Sequence, residues 1–391
     1  MVLVVLTAYM GRRLITPARL SRRANQAAWL GLGLCAALVP TALTLWRLHR
    51  GGMGQSFSQV GFVAAGFLLT VLVLLVARDM AVLALWGADG LSGKWTGKRI
   101  LPAPKDRRAR LLTQSSIALV GIALGCVVLG YVEAKGEARL ERVTIRLPAL
   151  PAEFRGYRIA QITDVHLGPS YDGKRLAALV ARINALEPDV VAITGDLVEA
   201  SVDQLRAEVA PLAQLKARDG VLFVLGNHEY YVGADDWVTE LRALGITVLM
   251  NEHRVVERGN ARLLIGGVPN AWGGMHGPDH GSETGAARIA SDPAAALADA
   301  PPSITKILLA HQPASAVAAE RAGFDLMLCG HTHGGQFFPW NLLARLGFPY
   351  LSGLQHQNKM QVYISRGVGV FGPPLRLGVP PELTLIELAS D

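Results

Sequence analysis

Tyr157–His166 reads YRIAQITDVH, an apolar run that stops on an aspartate and a histidine one residue apart. Four more short runs downstream end in a related way. Asp189–Thr194 (DVVAIT) is followed by Gly195-Asp196, and Val221–Leu225 (VLFVL) by Gly226-Asn227-His228-Glu229. Ile307–Ala310 runs into His311, and Asp325–Leu328 is soon followed by Gly330-His331-Thr332-His333-Gly334-Gly335. Runs this short and rich in Val, Ile and Leu read as buried strands. Gly173–Leu186 and Asp203–Ala217 read as helices between strands, so from about Arg146 onward the chain predicts an α/β domain. Its strand ends deliver Asp, His and Asn to one edge of the sheet, where α/β folds bind ligands.

The residue types point to metal. Imidazoles mixed with carboxylates suit Mn, Fe or Zn, whereas an all-oxygen cage would suit Mg or Ca. In DxH and HxH an extended segment would aim both side chains the same way, so both reach one ion. Asn227 offers a neutral carbonyl, and Asp196 offers a carboxylate able to bridge two ions. Single fragments have bland explanations: Gly-Asp is usually a turn with a helix cap, and Asn-His-Glu fits a capping box. Gly-His-Thr-His-Gly-Gly does not, because paired imidazoles flanked by glycine have little structural use.

The ordered set DxH, GD, GNHE, a lone His and GHTHGGQ (through Gln336) resembles the calcineurin-like metallophosphoesterase superfamily. Within it the likeness is to a membrane-anchored bacterial branch similar to UDP-2,3-diacylglucosamine hydrolases. The tail from Ile364-Ser365-Arg366-Gly367 through Pro373-Pro374-Leu375-Arg376 to Pro381-Glu382 also resembles that branch. The resemblance implies a four-layer αββα sandwich holding two divalent metal ions. Asp164, His166, Asp196 and His333 would hold one ion, and Asp196, Asn227, His311 and His331 the other. It implies attack by a metal-bound hydroxide, with His228 protonating the leaving oxygen or stabilising phosphoryl charge. Glu229 would orient His228 or cap a helix. Arg366 and Arg376 are candidates for phosphate contact, with salt bridging as the alternative. The Gly-rich stretch Gly273–Gly285, with His276, Asp279 and His280, reads as a lid or a solvated loop, and His280 is a candidate substrate contact.

The first third of the chain is different. Overall the 391 residues are 51% hydrophobic and 18% charged with a net charge of +7, a composition that excludes disorder. Up to Val132 there are 15 Lys and Arg against three acids, which leaves 23 basic against 28 acidic residues beyond it. The basicity is therefore no duplex-binding patch on the α/β domain. Residues 25–46, 60–86 and 111–132 are apolar enough to span a bilayer, within a membrane domain of residues 1–135 that starts with a short apolar stub. Gly121 and Gly125 form a GxxxG pair in the last span. Five arginines in Gly11–Arg23 and seven basic residues in Gly87–Arg110 place both loops in the cytoplasm. The catalytic domain, residues 146–391, then lies on the extracytoplasmic face of a bacterial inner membrane.

The function expected is hydrolysis of a phosphoester or pyrophosphate, with a lipid-linked substrate as the candidate and membrane lipids as neighbours. The other class is a membrane metal-binding sensor or assembly partner without turnover. His228 argues against it, since holding metal needs no extra imidazole. Three cysteines, Cys35, Cys126 and Cys329, are too few for a disulfide framework.

Overall fold

The structure is a computed structural model that describes residues 1–48, 53–96, 105–271, 285–286, 289–302, 304–348 and 350–390. The chain divides into two compact units.

The first unit comprises Met1–Glu133 with two short later segments, Phe337–Leu343 and Gly372–Gly378. It contains α1 (Val2–Leu14), α2 (Arg22–Leu48), α3 (Met53–Thr96) and all but the last residues of α4 (Lys105–Lys135). Arg22–Leu45, Phe57–Asp89 and Arg110–Lys135 are long and apolar enough to cross a membrane. Their interior is a small cluster of Met10, Ala36, Leu68, Val71, Leu75, Leu119 and Ala123. Large apolar side chains such as Leu30, Leu34, Ile117, Ile122 and Val128 face outward, as helices solvated by lipid require. Asp79, charged within the second of these stretches, is neutralised by Arg13 Nε at 2.6 Å and Arg78 Nη2 at 3.0 Å, and accepts from Tyr9 Oη at 2.7 Å. Such pairing is what makes an ionised group tolerable there. Within the described residues nothing packs on the GxxxG pair: apart from the helix's own backbone, no atom lies within 4 Å of where a Cβ would stand on Gly121 or Gly125. Close approach is made at Gly61, where a Cβ would fall 2.2 Å from that of Ala42. Phe337 and Leu375 bury against Val127, Val63 and Phe67.

The second unit is the four-layer αββα sandwich expected. Among the described residues one sheet has the order β1-β12-β2-β3-β4-β5, formed by β1 (Arg139–Arg146), β12 (Glu382–Ala389), β2 (Arg158–Ile162), β3 (Val190–Ile193), β4 (Val221–Phe223) and β5 (Thr247–Val248). The other has the order β10-β11-β9-β8-β7-β6, formed by β10 (Gly353–Gln357), β11 (Met360–Ile364), β9 (Leu326–Cys329), β8 (Thr305–Leu309), β7 (Ala261–Gly267) and β6 (Glu252–Arg258). β2 through β5 run parallel, as do β7, β8, β9 and β11.

The strand period of two builds the layers. Val190 and Ala192 of β3 meet Ile307 and Leu309 of β8 and Leu326 and Leu328 of β9 between the sheets. Val191 and Ile193 point the other way, onto α5 (Gly173–Ala185), α6 (Val202–Val209) and α8 (Ala234–Ala243) through Leu176, Leu205 and Trp237. Leu308 and Met327 likewise pack outward onto α9 (Ala316–Ala322) through Ala316 and Ala319. Central strands buried on both faces must read as continuous apolar runs.

Two boundaries differ from the sequence reading. The sandwich begins with β1 rather than at residue 146, because β1 is an edge strand with a mostly solvated pattern. The helix expected over Asp203–Ala217 stops at Val209 and continues as a 3-10 turn over Ala210–Gln214, since Pro211 has no N–H for an α-helical bond.

Candidate metal centre

β2, β3 and β4 of one sheet and β8 and β9 of the other stop at one edge of the sandwich. The loops that follow hold the Asp, Asn and His residues. Asp164, His166 and His333 bring one ligand atom each within 4.8 Å of one another, as do Asp196, His311 and His331. A third such group, His166, Asp196 and His228, ties the first two together. His166 Nε2 stands 3.0 Å from His333 Nε2, and His311 Nε2 stands 3.2 Å from His331 Nδ1. Asp196 Oδ2 is central, 3.1 Å from His311 Nε2 and 3.9 Å from both His166 Nε2 and His228 Nε2.

The orientation of these groups comes from the loops and not from extended backbone. Asp164 and His166 have φ of 53° and 50°, Asp196 51°, and His331 and His333 70° and 50°. The DxH and HxH pairs are therefore brought together by left-handed turns beyond the strand ends, correcting the extended geometry expected. That region is unfavourable for a side-chain-bearing residue, and its concentration here marks a site where function overrides local preference. Gly226 shows why glycine accompanies the ligands: a Cβ there would fall 2.2 Å from Asp196 Oδ1.

Hydrogen bonds fix the rings. His311 Nδ1 lies 2.8 Å from Thr194 O, so an N–H donated to that carbonyl leaves Nε2 facing Asp196. Thr163 Oγ1 donates to Asp164 Oδ2 at 2.8 Å, and the His331 N–H donates to the same oxygen at 2.9 Å. Asp164 Oδ1 and Asn227 Oδ1 are buried with no hydrogen-bond partner among the described residues. Asp164 Oδ1 faces His333 Nε2 at 3.3 Å and His166 Nε2 at 3.9 Å, and an orphaned carboxylate oxygen among imidazoles is what a divalent cation needs. The donor set fits such a cation.

Glu229 takes the capping role. Its carboxylate accepts from the N–H of Gly226 at 2.7 Å, of Leu197 at 2.7 Å and of Asp196 at 3.1 Å. It thus ties the Asp196 loop to the start of α7 (Asn227–Val232). The partner of His228 is a residue that the motif reading passed over. Glu199 Oε1 lies 2.9 Å from His228 Nδ1 and also makes a short contact with His166 Nδ1. The signal was its place three residues after Asp196, in GDLVE. Burial opposes charge on Glu199, yet His228 and His166 hold it down to about 2. Burial likewise opposes protonation of His228, but Glu199 and Asp196 raise it to about 10. Burial, together with the neighbouring His311, pushes His331 down to about 4.

A comparison of the sequence with known families matches residues 157–335 to the family described as calcineurin-like phosphoesterase. An uncharacterized metallophosphoesterase of Helicobacter pylori is 33% identical over 285 residues, covering 72% of each chain. One from Aquifex aeolicus is 33% identical over 253 residues, covering 64% of this chain and 91% of its own. The chain belongs to the calcineurin-like phosphoesterases. A transmembrane protein with metallophosphoesterase domain from Danio rerio is 36% identical over 283 residues, which are 70% of this chain. The match spans 62% of that relative's length, less than two thirds.

The remaining candidate residues fall outside the His/Asp cluster. Arg366 sits between Glu141 and Glu382, with Nε 2.7 Å from Glu382, and is ion-paired with both. Arg376 is fully buried in the first unit, where its backbone N–H donates to Gly130 O at 2.9 Å. His276, Asp279 and His280 lie outside the described residues. An aromatic rim went unread: the Phe371 ring is 4.9 Å from that of His228, and Tyr231 is 5.2 Å from it. Gln336 exchanges two hydrogen bonds of 2.9 Å with the Phe371 backbone, which holds that ring in place.

Proposed function

We propose that this protein is a membrane-anchored phosphoesterase that uses two divalent metal ions to hydrolyse a phosphoester or pyrophosphate bond in a lipid-linked substrate. The observation that carries it is the pair of donor sets that meet at Asp196. Asp164, His166 and His333 would hold one ion, and Asn227, His311 and His331 the other, with Asp196 shared. Bound there, divalent cations supply charge stabilisation for the phosphoryl group and lower the pKa of water toward neutrality. His228 stands beside the cluster without belonging to either set and is held protonated by Glu199. It is placed to give a proton to the leaving oxygen, the role of a general acid. Asp196 accepts the His228 backbone N–H at 2.9 Å, which sets the ring's distance from the centre.

Three helices able to cross a membrane support a substrate that resides there, since tethering raises its local concentration. The exposed Phe371 and Tyr231 beside His228 add apolar surface at the mouth. The basic loops support an extracytoplasmic position at a bacterial inner membrane, and in that orientation phospholipid head groups or other exported phosphoesters are the better substrates. The sugar-nucleotide lipids that the finer likeness to UDP-2,3-diacylglucosamine hydrolases suggests are expected on the opposite leaflet.

The test is turnover of p-nitrophenyl phosphomonoesters and phosphodiesters by the full-length protein with Mn²⁺. Asp196→Ala and His331→Ala should abolish turnover while melting cooperatively. Unchanged activity in both would sink the mechanism. Metal retained without hydrolysis of any ester would select the sensor reading instead.

A further inference from the structure

His331 has a second neighbourhood besides the metal cluster. A cavity of about 360 Å³ opens beside it, walled by Val317 of α9, Phe348, Tyr350, and Val362 and Ile364 of β11. The wall is mostly apolar, and the volume falls within the range of sites that hold small organic ligands. The Phe348 ring centroid is 6.5 Å from that of His331, so the apolar wall starts at the metal ligand itself. Phe348 and Tyr350 are 41% and 45% exposed, so part of the apolar wall is open to an incoming group.

One polar residue in this wall is out of keeping. Gln312 follows His311 directly and is 1% exposed, yet neither its Nε2 nor its Oε1 has a hydrogen-bond partner among the described residues. An unsatisfied buried amide is unfavourable, and a bound group that pairs with it removes that cost. Gln312 lines the same cavity as His331.

We infer that this cavity is the binding site for an acyl chain carried by the phosphoester substrate. The Gln312 amide receives the polar linkage, a carbonyl or hydroxyl, that joins chain to phosphate. The inference rests on the proposed phosphoesterase reading for the phosphate end and names what lies at the other end.

Two measurements on the full-length protein test it. The first compares p-nitrophenyl methyl phosphate with p-nitrophenyl decyl phosphate. The decyl ester should show kcat/KM at least tenfold higher, and Val317→Trp, which fills the cavity, should erase that preference. Ala314→Trp, at the exposed rim, serves as a second filling variant should the first not fold. A chain-length preference absent from the parent, or untouched by both variants, overturns the inference. Delivery of the decyl ester as monomers or in phosphatidylcholine vesicles shows whether the chain comes from solution or from a bilayer.

The second measurement needs no turnover. A decyl phosphate with a terminal diazirine should label peptides spanning 312–317 or 348–364, and excess decyl phosphate should suppress the labelling. Label confined to residues 22–135 would overturn the site. Should no ester be hydrolysed at all, the functional reading falls, and the labelling pattern still decides the cavity.

Discussion

At Glu199 one carboxylate oxygen faces two imidazoles, that of a proposed metal ligand and that of the proposed acid. Glu199→Gln keeps the size and removes the charge. It should lower kcat by roughly 10- to 100-fold, the usual effect of losing a partner behind a ligand, with metal content measured in parallel. The metal-free protein gives a separate readout. A histidine raised from an ordinary 6.5 to about 10 contributes stability that is full below 6.5 and fades as pH rises through 10. In Glu199→Gln this fading should begin at lower pH, visible in the melting temperature between pH 6 and 10. An unmoved alkaline limb would mean that the pair is not formed. The residues that cluster were legible because each is a chemically unusual residue just after an apolar run. Glu199 was not, since a carboxylate near a helix start has many ordinary uses, and neither was Gln312, whose amide carries information only once its lack of partners is known.

The strands that carry ligands are buried on both faces, and that doubled burial made β2, β3, β4, β8 and β9 readable without any partner in view. Edge elements gave no such signal. β6 alternates exposed and partly buried positions over Glu252–Arg258, and β5 is only two residues long, so neither stands out from loop composition. Among helices, α8 fixes its position through Trp237, fully buried with its indole N–H donated to Ala200 O at 3.0 Å. Trp237→Ala should destabilise the protein by about 3–5 kcal/mol, measured by thermal melting of the detergent-solubilised chain. In the other unit Asp79→Ala leaves Arg13 and Arg78 without their shared carboxylate. Because Arg78 is only 12% exposed and is left as an uncompensated charge, the loss expected is about 3–5 kcal/mol, read as a clear drop in melting temperature.

Across the whole chain, the separation of basic, apolar residues from the acidic remainder was enough to distinguish a membrane-spanning part from an α/β part. It could not reveal that Phe337–Leu343 and Gly372–Gly378 join the helices, because that depends on packing of two short loops far apart in sequence. The proposed orientation has a direct check. In a chain with Cys35, Cys126 and Cys329 replaced by alanine, Lys216→Cys should react with an impermeant maleimide on intact cells. Protection until the cells are lysed would reverse the topology. The left-handed backbone at Asp164, His166, Asp196, His331 and His333 has an effect on the molecule's durability. Each of these residues holds the chain in a shape that glycine would adopt more readily by roughly 1 kcal/mol. A His333→Gly protein, assayed free of cations, should therefore tolerate more heat than its parent while doing no chemistry. Reactivity and robustness are in opposition at the same five positions, and selection for longevity alone would discard the donors first.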